Sequence, residues 1–224
     1  MSVFEMWKGT LTIKILLIFV GFLIFLTGVV PLWIGAGLVM LAGGCFLSFR
    51  QGQGAGHEAC SVSKSVERAQ QEGHAQLDAK IRREAWSVSN GIRAIFAGGL
   101  VGYVVNAIYI IITLAGANEY ATLMSRLASM VVSIPYMPIV ANWHQVLNAE
   151  TGKMVVELYK LTPDMIVVFM VGPFLLPLFQ FLGYLQGPKL WQKTEKAMAE
   201  GKRRAKARSR IVKKKGPKVQ KPEI

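Results

Sequence analysis

The chain has 224 residues, of which 52% are hydrophobic and only 17% charged, and its mean hydropathy is +0.38. Several apolar runs approach the roughly 20 residues that a bilayer core demands, which excludes an ordinary water-soluble globule. The formal charge of +13 is uneven: 14 of the 26 Lys and Arg residues lie from Lys189 onward against three acids, so the basicity describes a tail and excludes a basic domain.

The first apolar run, Leu11 to Val30, follows Trp7 and Lys8. Lys14 lies one turn into it and is expected to snorkel to the interface. The run has the profile of a signal peptide, but no convincing cleavage site follows. Leu41-Ala42-Gly43-Gly44-Cys45 lies too deep for a lipoprotein site and reads as small-residue packing. Pro31 separates the first run from Leu32 to Phe49, so the two form a hairpin with Trp33 near its turn. At 18 residues, or about 27 Å, the second run suits a thin bilayer. Cys45 within it and Cys60 beyond it make no disulfide framework.

Arg50 ends the hairpin, and Gln51-Gly52-Gln53-Gly54-Ala55-Gly56 reads as a flexible linker. A polar arm follows. Its small or apolar residues recur every three or four positions from Ala59 and Val62 to Val88 and Ile92, the mark of one thin helical face. Gly73 is its expected hinge. His57-x-x-Cys60 has metal-like spacing but no further ligand nearby, so no metal or other cofactor is expected.

Ser89 and Asn90 offer caps for the third span, Ile92 to Leu114. Ala94, Gly98, Gly102 and Asn106 share one face there, and Gly98-x-x-x-Gly102 is the close-packing motif of membrane helices. Asn106 needs a hydrogen-bond partner in hydrocarbon, most simply on a neighbouring helix. Residues 115–126 read as a polar connection. The apolar run Leu127 to Ala141 is broken by Pro135 and Pro138 and followed by Asn142 and His144. It lies along the interface, packs over the bundle surface, the plainer reading, or dips in as a re-entrant, pore-like loop. Asn148 to Gly152 is a turn, and Lys153 to Leu161 is short and either β-leaning or amphipathic. Thr162-Pro163-Asp164 starts the last span, Met165 to Gln186, which Pro173 and Pro177 should kink and in which Gln180 also needs a partner. Tyr184 and Trp191 mark the far interface. Residues up to Val212 form a charged surface helix, and Lys213 to Ile224 should be disordered.

Charge counting orients these elements. Four spans with both termini inside put 23 Lys and Arg inside and three outside, whereas five spans give 15 and 11. The expected architecture is therefore an all-α, polytopic helical bundle in the cell membrane, with four spans, or five if Leu127 to Gln145 crosses. Its parts are a transmembrane hairpin (1–49), a cytoplasmic polar helical arm (50–91), further spans (92–186) with an extracytoplasmic or re-entrant segment (116–163), and a basic cytoplasmic tail (187–224).

No catalytic constellation is visible, so an enzyme is not expected. The leading expectation is a structural or accessory subunit, homo- or hetero-oligomeric through its membrane helices. Its tail, including Lys202, Arg203, Arg204, Lys213, Lys214 and Lys215, would bind the anionic inner leaflet. That tail lacks the aromatics expected for gripping RNA or a ribosome by base stacking. The alternative is an oligomeric channel or transporter component that uses residues 127–147. A polar arm beside a basic tail also resembles, in layout alone, the membrane-protein insertases, which implies an insertion helper.

Overall fold

The structure is a computed structural model that describes residues 3–71, 81, 84–148, 152, 154–156 and 161–214. Its helices are α1 (Val3–Phe25), α2 (Val30–Gln71), α3 (Val88–Leu114), α4 (Glu119–Ser133), α5 (Met137–Trp143), α6 (Pro163–Tyr184) and α7 (Gly187–Lys214). Strands β1 (Gln145–Leu147) and β2 (Met154–Val156) pair antiparallel between α5 and α6, with Val146 opposite Val155. Gly152, at φ +61°, closes that hairpin through its N–H to Asn148 O (2.9 Å).

Among the described residues four helical runs are long and apolar enough to cross a membrane, α1, α2, α3 and the α6–α7 run, and a fifth if the bent pair α4–α5 is one span. Their residues are distributed inside out relative to a soluble protein. Phe19, Phe96, Val101 and Ile111 point outward, while Thr10, Ser48, Asn106, Ser129 and Ser133 are completely buried. In water such an apolar surface would drive aggregation; against lipid it carries no penalty. Helix α6 packs between α2 and α3, and α1 packs across α2 and α3.

Three apolar clusters are stacked along the bundle. Met6, Ala55, Ala59, Ala94 and Tyr184 form one end. Ile13, Leu17, Leu41, Cys45, Tyr136 and Leu176 fill the middle. Trp33, Tyr109, Met137, Val140, Met165 and Phe169 form the other end. The start of α1, the extension of α2, the start of α3 and the end of α6 thus share one end of the molecule.

Several boundaries differ from those read in the sequence. The first turn lies at residues 26–29, with Gly28 at φ +69°, and Pro31 sits inside the first turn of α2, where its missing N–H leaves no gap. Trp33 is buried rather than an exposed anchor, and Tyr184 is likewise buried, its hydroxyl accepting from Ser87 N (3.1 Å). Helix α3 begins at Val88, ahead of the proposed caps, and Asn90 Nδ2 reaches back to Ala85 O (3.2 Å). The polar connection shrinks to residues 115–118, because Asn118 caps α4 by accepting from Ala121 N (2.7 Å).

The stretch 51–56 is helical, not a linker. Helix α2 runs unbroken through Arg50 and these glycines for 42 residues, about 60 Å, so its second half projects well beyond any bilayer core. The segment returning toward α3 docks on that projection, with Trp86 N donating to Ser63 Oγ (2.8 Å) and to Ala59 O (3.1 Å). Gly73 lies outside the described residues. At the other end of the chain, Lys213 and Lys214 belong to α7 rather than to a disordered tail, and residues 215–224 lie outside the described residues.

The proline-broken segment is exposed along one face of α4 and mostly buried from Tyr136 to Ala141. Helices α4 and α5 meet at 105° across residues 134–136, and Tyr136, Met137, Pro138, Val140 and Ala141 are buried. Tyr136 lies flat on Gly172, where an added Cβ would come 3.0 Å from the ring, and Pro138 rests on Gly37. Helix α4 starts beside the end of α3, and His144, just past α5, meets Asp164 at the start of α6. Helices α3 and α6 run antiparallel, as contacts of Gly91 with Phe181 and of Tyr109 with Phe169 show. The segment therefore enters and leaves at one end and dips to the middle of the bundle. A pair bent in this way is either a broken span or a re-entrant loop.

Candidate functional site

The centre of the bundle is a ladder of polar groups, and proline is its cause. A proline inside a helix cannot bond to the carbonyl four residues earlier. In α6, Pro173 leaves Phe169 O without its helical donor, and Pro177 does the same to Pro173 O. In a membrane interior each orphaned carbonyl would cost on the order of several kcal/mol unless another group met it. Two side chains do so. Asn106 Nδ2 of α3 donates to Phe169 O (2.6 Å). Lys14 Nζ of α1 donates to Pro173 O (2.9 Å) and also to Gly98 O (2.5 Å).

Asn106 is satisfied at both ends. Its Oδ1 accepts from Ser129 Oγ (2.8 Å) and Ser133 Oγ (3.2 Å), which lie one turn apart on α4 and enter the bundle with the bent α4–α5 pair. Further along α6, Gln180 makes a third rung: its Oε1 accepts from Thr10 Oγ1 (2.6 Å), and its Nε2 donates to Met6 O (2.9 Å). The ladder ties α1, α3, α4 and α6 together.

Close approach makes these bonds reachable. A Cβ on Gly98 would sit 2.8 Å from the Pro177 ring, and one on Gly102 would sit 3.0 Å from Pro173. The face Gly98–Gly102–Asn106 is thus seated on the two prolines. A tighter seam joins α2 to α6. Gly52 and Gly56 face Gly183 and Gly187, two G-x-x-x-G pairs, and a Cβ on Gly52 or Gly56 would strike the carbonyl of Gln180 or Tyr184. Glycine costs about 1 kcal/mol of helix propensity, which backbone-to-backbone packing outweighs here. At the rim Gln53 Nε2 donates to Gln186 Oε1 (2.8 Å).

Lys14 does not snorkel outward as expected; the two carbonyls draw its ammonium into the bundle. Of the proline-broken segment's polar residues, Asn142 is exposed beside Gln145, while His144 Nε2 meets Asp164 Oδ2 at 2.6 Å. That pair is partly open to solvent, so His144→Ala and Asp164→Asn should each destabilise the protein by about 1 kcal/mol or less. Thermal unfolding in detergent micelles measures both; a loss several times larger would mean that the pair anchors the whole hairpin. Among the described residues, Ser48 Oγ and Tyr136 Oη are buried without a hydrogen bond.

The cavities are of two kinds. An apolar groove of about 610 Å³ runs between α2 and α6, lined by Leu38, Leu41, Phe46, Phe49, Leu175 and Phe179. A polar cleft of about 390 Å³ separates the projecting part of α2 from α7, with Lys64, Arg68, Lys202, Ser61, Thr194 and Trp191 on its walls. Arg203 and Arg204 are exposed nearby on α7, and Lys215 lies outside the described residues. His57 packs on Trp191 (ring centroids 5.2 Å), and among the described residues no three His, Cys, Asp or Glu converge as metal ligands.

Sequence reasoning passed over Thr10, Ser129 and Ser133, and read Lys14 as snorkelling outward and the glycines of residues 51–56 as a linker. Two signals were available. Counting back four residues from each span proline identifies the carbonyls in need of donors, and Ser129-x-x-x-Ser133 is a polar pair on one face of an apolar run. Comparison with known proteins found no matching family model, no matching curated protein and no matching solved structure.

Proposed function

We propose that this chain is a small polytopic membrane protein acting as a structural or accessory subunit, which packs with partner membrane helices and holds anionic lipid through α7. The observation that carries this reading is the commitment of the interior polar groups. Asn106 and Gln180 use both ends of their amides on neighbouring helices. A transport path needs interior polar groups free to exchange partners with a solute, and these serve to lock helices. The apolar outer faces of α1 and α3, where Phe19, Phe96, Val101 and Ile111 are exposed, then offer area to partner helices.

Topology follows from the charge count together with the shared end of the molecule. With 23 Lys and Arg on the cytoplasmic side, the N-terminus, the projection of α2 and α7 face the cytoplasm, and the re-entrant hairpin opens to the opposite side. The cleft bearing Lys64, Arg68 and Lys202 then lies near the anionic leaflet, where each basic residue contributes about 1 kcal/mol.

The test is flux. Liposomes containing the purified protein should be no more permeable to potassium ions, protons or small polar solutes than empty ones. A selective flux that Asn106→Leu abolishes while the protein stays folded would sink the accessory reading in favour of a channel or transporter component.

A further inference from the structure

The apolar groove between α2 and α6 ends in a polar cap. Its walls are Leu38, Leu41, Phe46, Phe49, Leu175 and Phe179. From Leu38 to Phe49 it runs about 17 Å along α2, close to half the thickness of a bilayer core. There the two helices converge and close it: a Cβ on Gly183 would strike Phe49 O, and one on Gly52 the Gln180 carbonyl. Gln53 Nε2 bridges the closure by donating to Gln186 Oε1 (2.8 Å), and Arg50 Nη1 donates to Gln53 Oε1 (3.3 Å). The Arg50 guanidinium also lies over the Phe46 ring, 5.7 Å from its centroid, which holds the cation at the mouth of the groove.

Arg50 is the first charge of α2. The uncharged stretch before it, Val30 to Phe49, is about 30 Å long, so the guanidinium falls where hydrocarbon gives way to lipid phosphates. Among the described residues no carboxylate pairs with it, and its bond to Gln53 uses one of the five N–H donors of an arginine. The amide N–H groups of Gln186 are likewise uncommitted. A guanidinium fork with an amide donor beside it suits a phosphate. The walls select what lies below. Helices meet in lipid through small residues, whereas this groove is lined mainly by Leu and Phe. A flexible acyl chain follows such an uneven wall, and the groove is one leaflet long.

We infer that this groove holds one anionic phospholipid, with an acyl chain between α2 and α6 and its phosphate on Arg50 and Gln186. An anionic head group is favoured because Arg50 has no protein counter-charge, and a choline head brings its own cation to its phosphate. The site is separate from the cleft beside α7. It rests on the membrane placement proposed above and needs no partner protein.

The test uses the full-length protein in phosphatidylcholine liposomes doped with a phosphatidylglycerol whose acyl chain carries a diazirine. After illumination, mass spectrometry identifies the labelled peptides. This probe should label the α2 and α6 peptides of the groove at least fivefold more than a matching probe with a choline head. Arg50→Gln should remove that excess. Ala42→Trp, which fills the groove from an exposed position on its wall, should abolish groove labelling by both probes. Arg93→Gln removes an exposed cation near Gly91, which packs at Phe181 and Tyr184 and so at the same end of the bundle, and should leave the excess intact. Size-exclusion profiles show which variants are folded. Equal labelling by the two probes, or an excess that survives in folded Arg50→Gln, means passing bulk lipid and overturns the site. An unlabelled groove in a dimer that Ala42→Trp disperses assigns the groove to a second copy and overturns it too. Resistance to carbonate extraction from the liposomes tests membrane placement by itself, so its failure is told apart from failure of the site, and flux tests the accessory reading independently of both.

Discussion

Gly52→Leu should leave little or no folded, monodisperse protein in mild detergent, while Gly54→Leu, two residues along the same helix, should be neutral or slightly stabilising. The difference is geometric. A Cβ on Gly52 collides with the Gln180 carbonyl and presses on Tyr184 N, whereas a Cβ on Gly54 meets nothing within 4 Å. Overpacking a core costs about 1–3 kcal/mol when side chains can shift. Here the obstacle is backbone of α6, which also carries Gln180 and its bonds to α1, so the loss should exceed about 3 kcal/mol, a large part of a typical stability. At Gly54 the exchange recovers up to about 1 kcal/mol of helix propensity instead. Size-exclusion profiles and thermal unfolding of the two variants decide the matter. Equal tolerance at both positions would mean that residues 51–56 behave as the flexible connection their composition suggests.

That contrast marks how far the sequence could be read. The four apolar runs were legible because a bilayer tolerates few charges, and the face Gly98–Gly102–Asn106 because small residues recur at steps of four. Gln51 to Gly56 was not legible, because glycine carries two meanings. In a solvated stretch it signals freedom; on a helix it signals close approach. Only the matching pair Gly183 and Gly187, distant in the chain, selects the second. Lys14 misled for a related reason. Snorkelling is the cheapest course for a lysine near a span end, and Lys14 does lie near one, since Gly9 packs at Gln51 and Leu17 at Gly44. Its pull inward comes from a carbonyl that a proline on another helix sets free. The bent course of α4 and α5 likewise brings Ser129 and Ser133 to Asn106; the spacing of the serines marks a polar face but not the helix that it meets.

Asn106→Leu should destabilise the protein by about 2–3 kcal/mol, and the size of that loss should depend on Pro173. The substitution removes the donor to Phe169 O and the acceptor for two hydroxyls at once. The hydroxyls have a local remedy, since a helical serine can turn back to the carbonyl four residues earlier. Phe169 O has none, because the residue that would supply its N–H is Pro173. The unsatisfied carbonyl, worth about 1–3 kcal/mol, therefore dominates over the freed serines. Pro173→Ala supplies the missing N–H, so in that background Asn106→Leu should cost about 1 kcal/mol less than it does alone. A double-mutant cycle, read by reversible unfolding in mixed detergent micelles, isolates this coupling from the packing that the proline ring makes on Gly102. A coupling indistinguishable from zero would show that Asn106 acts through the serines alone. A coupling of about 1 kcal/mol would identify the carbonyl freed by Pro173 as the reason a carboxamide stands at position 106.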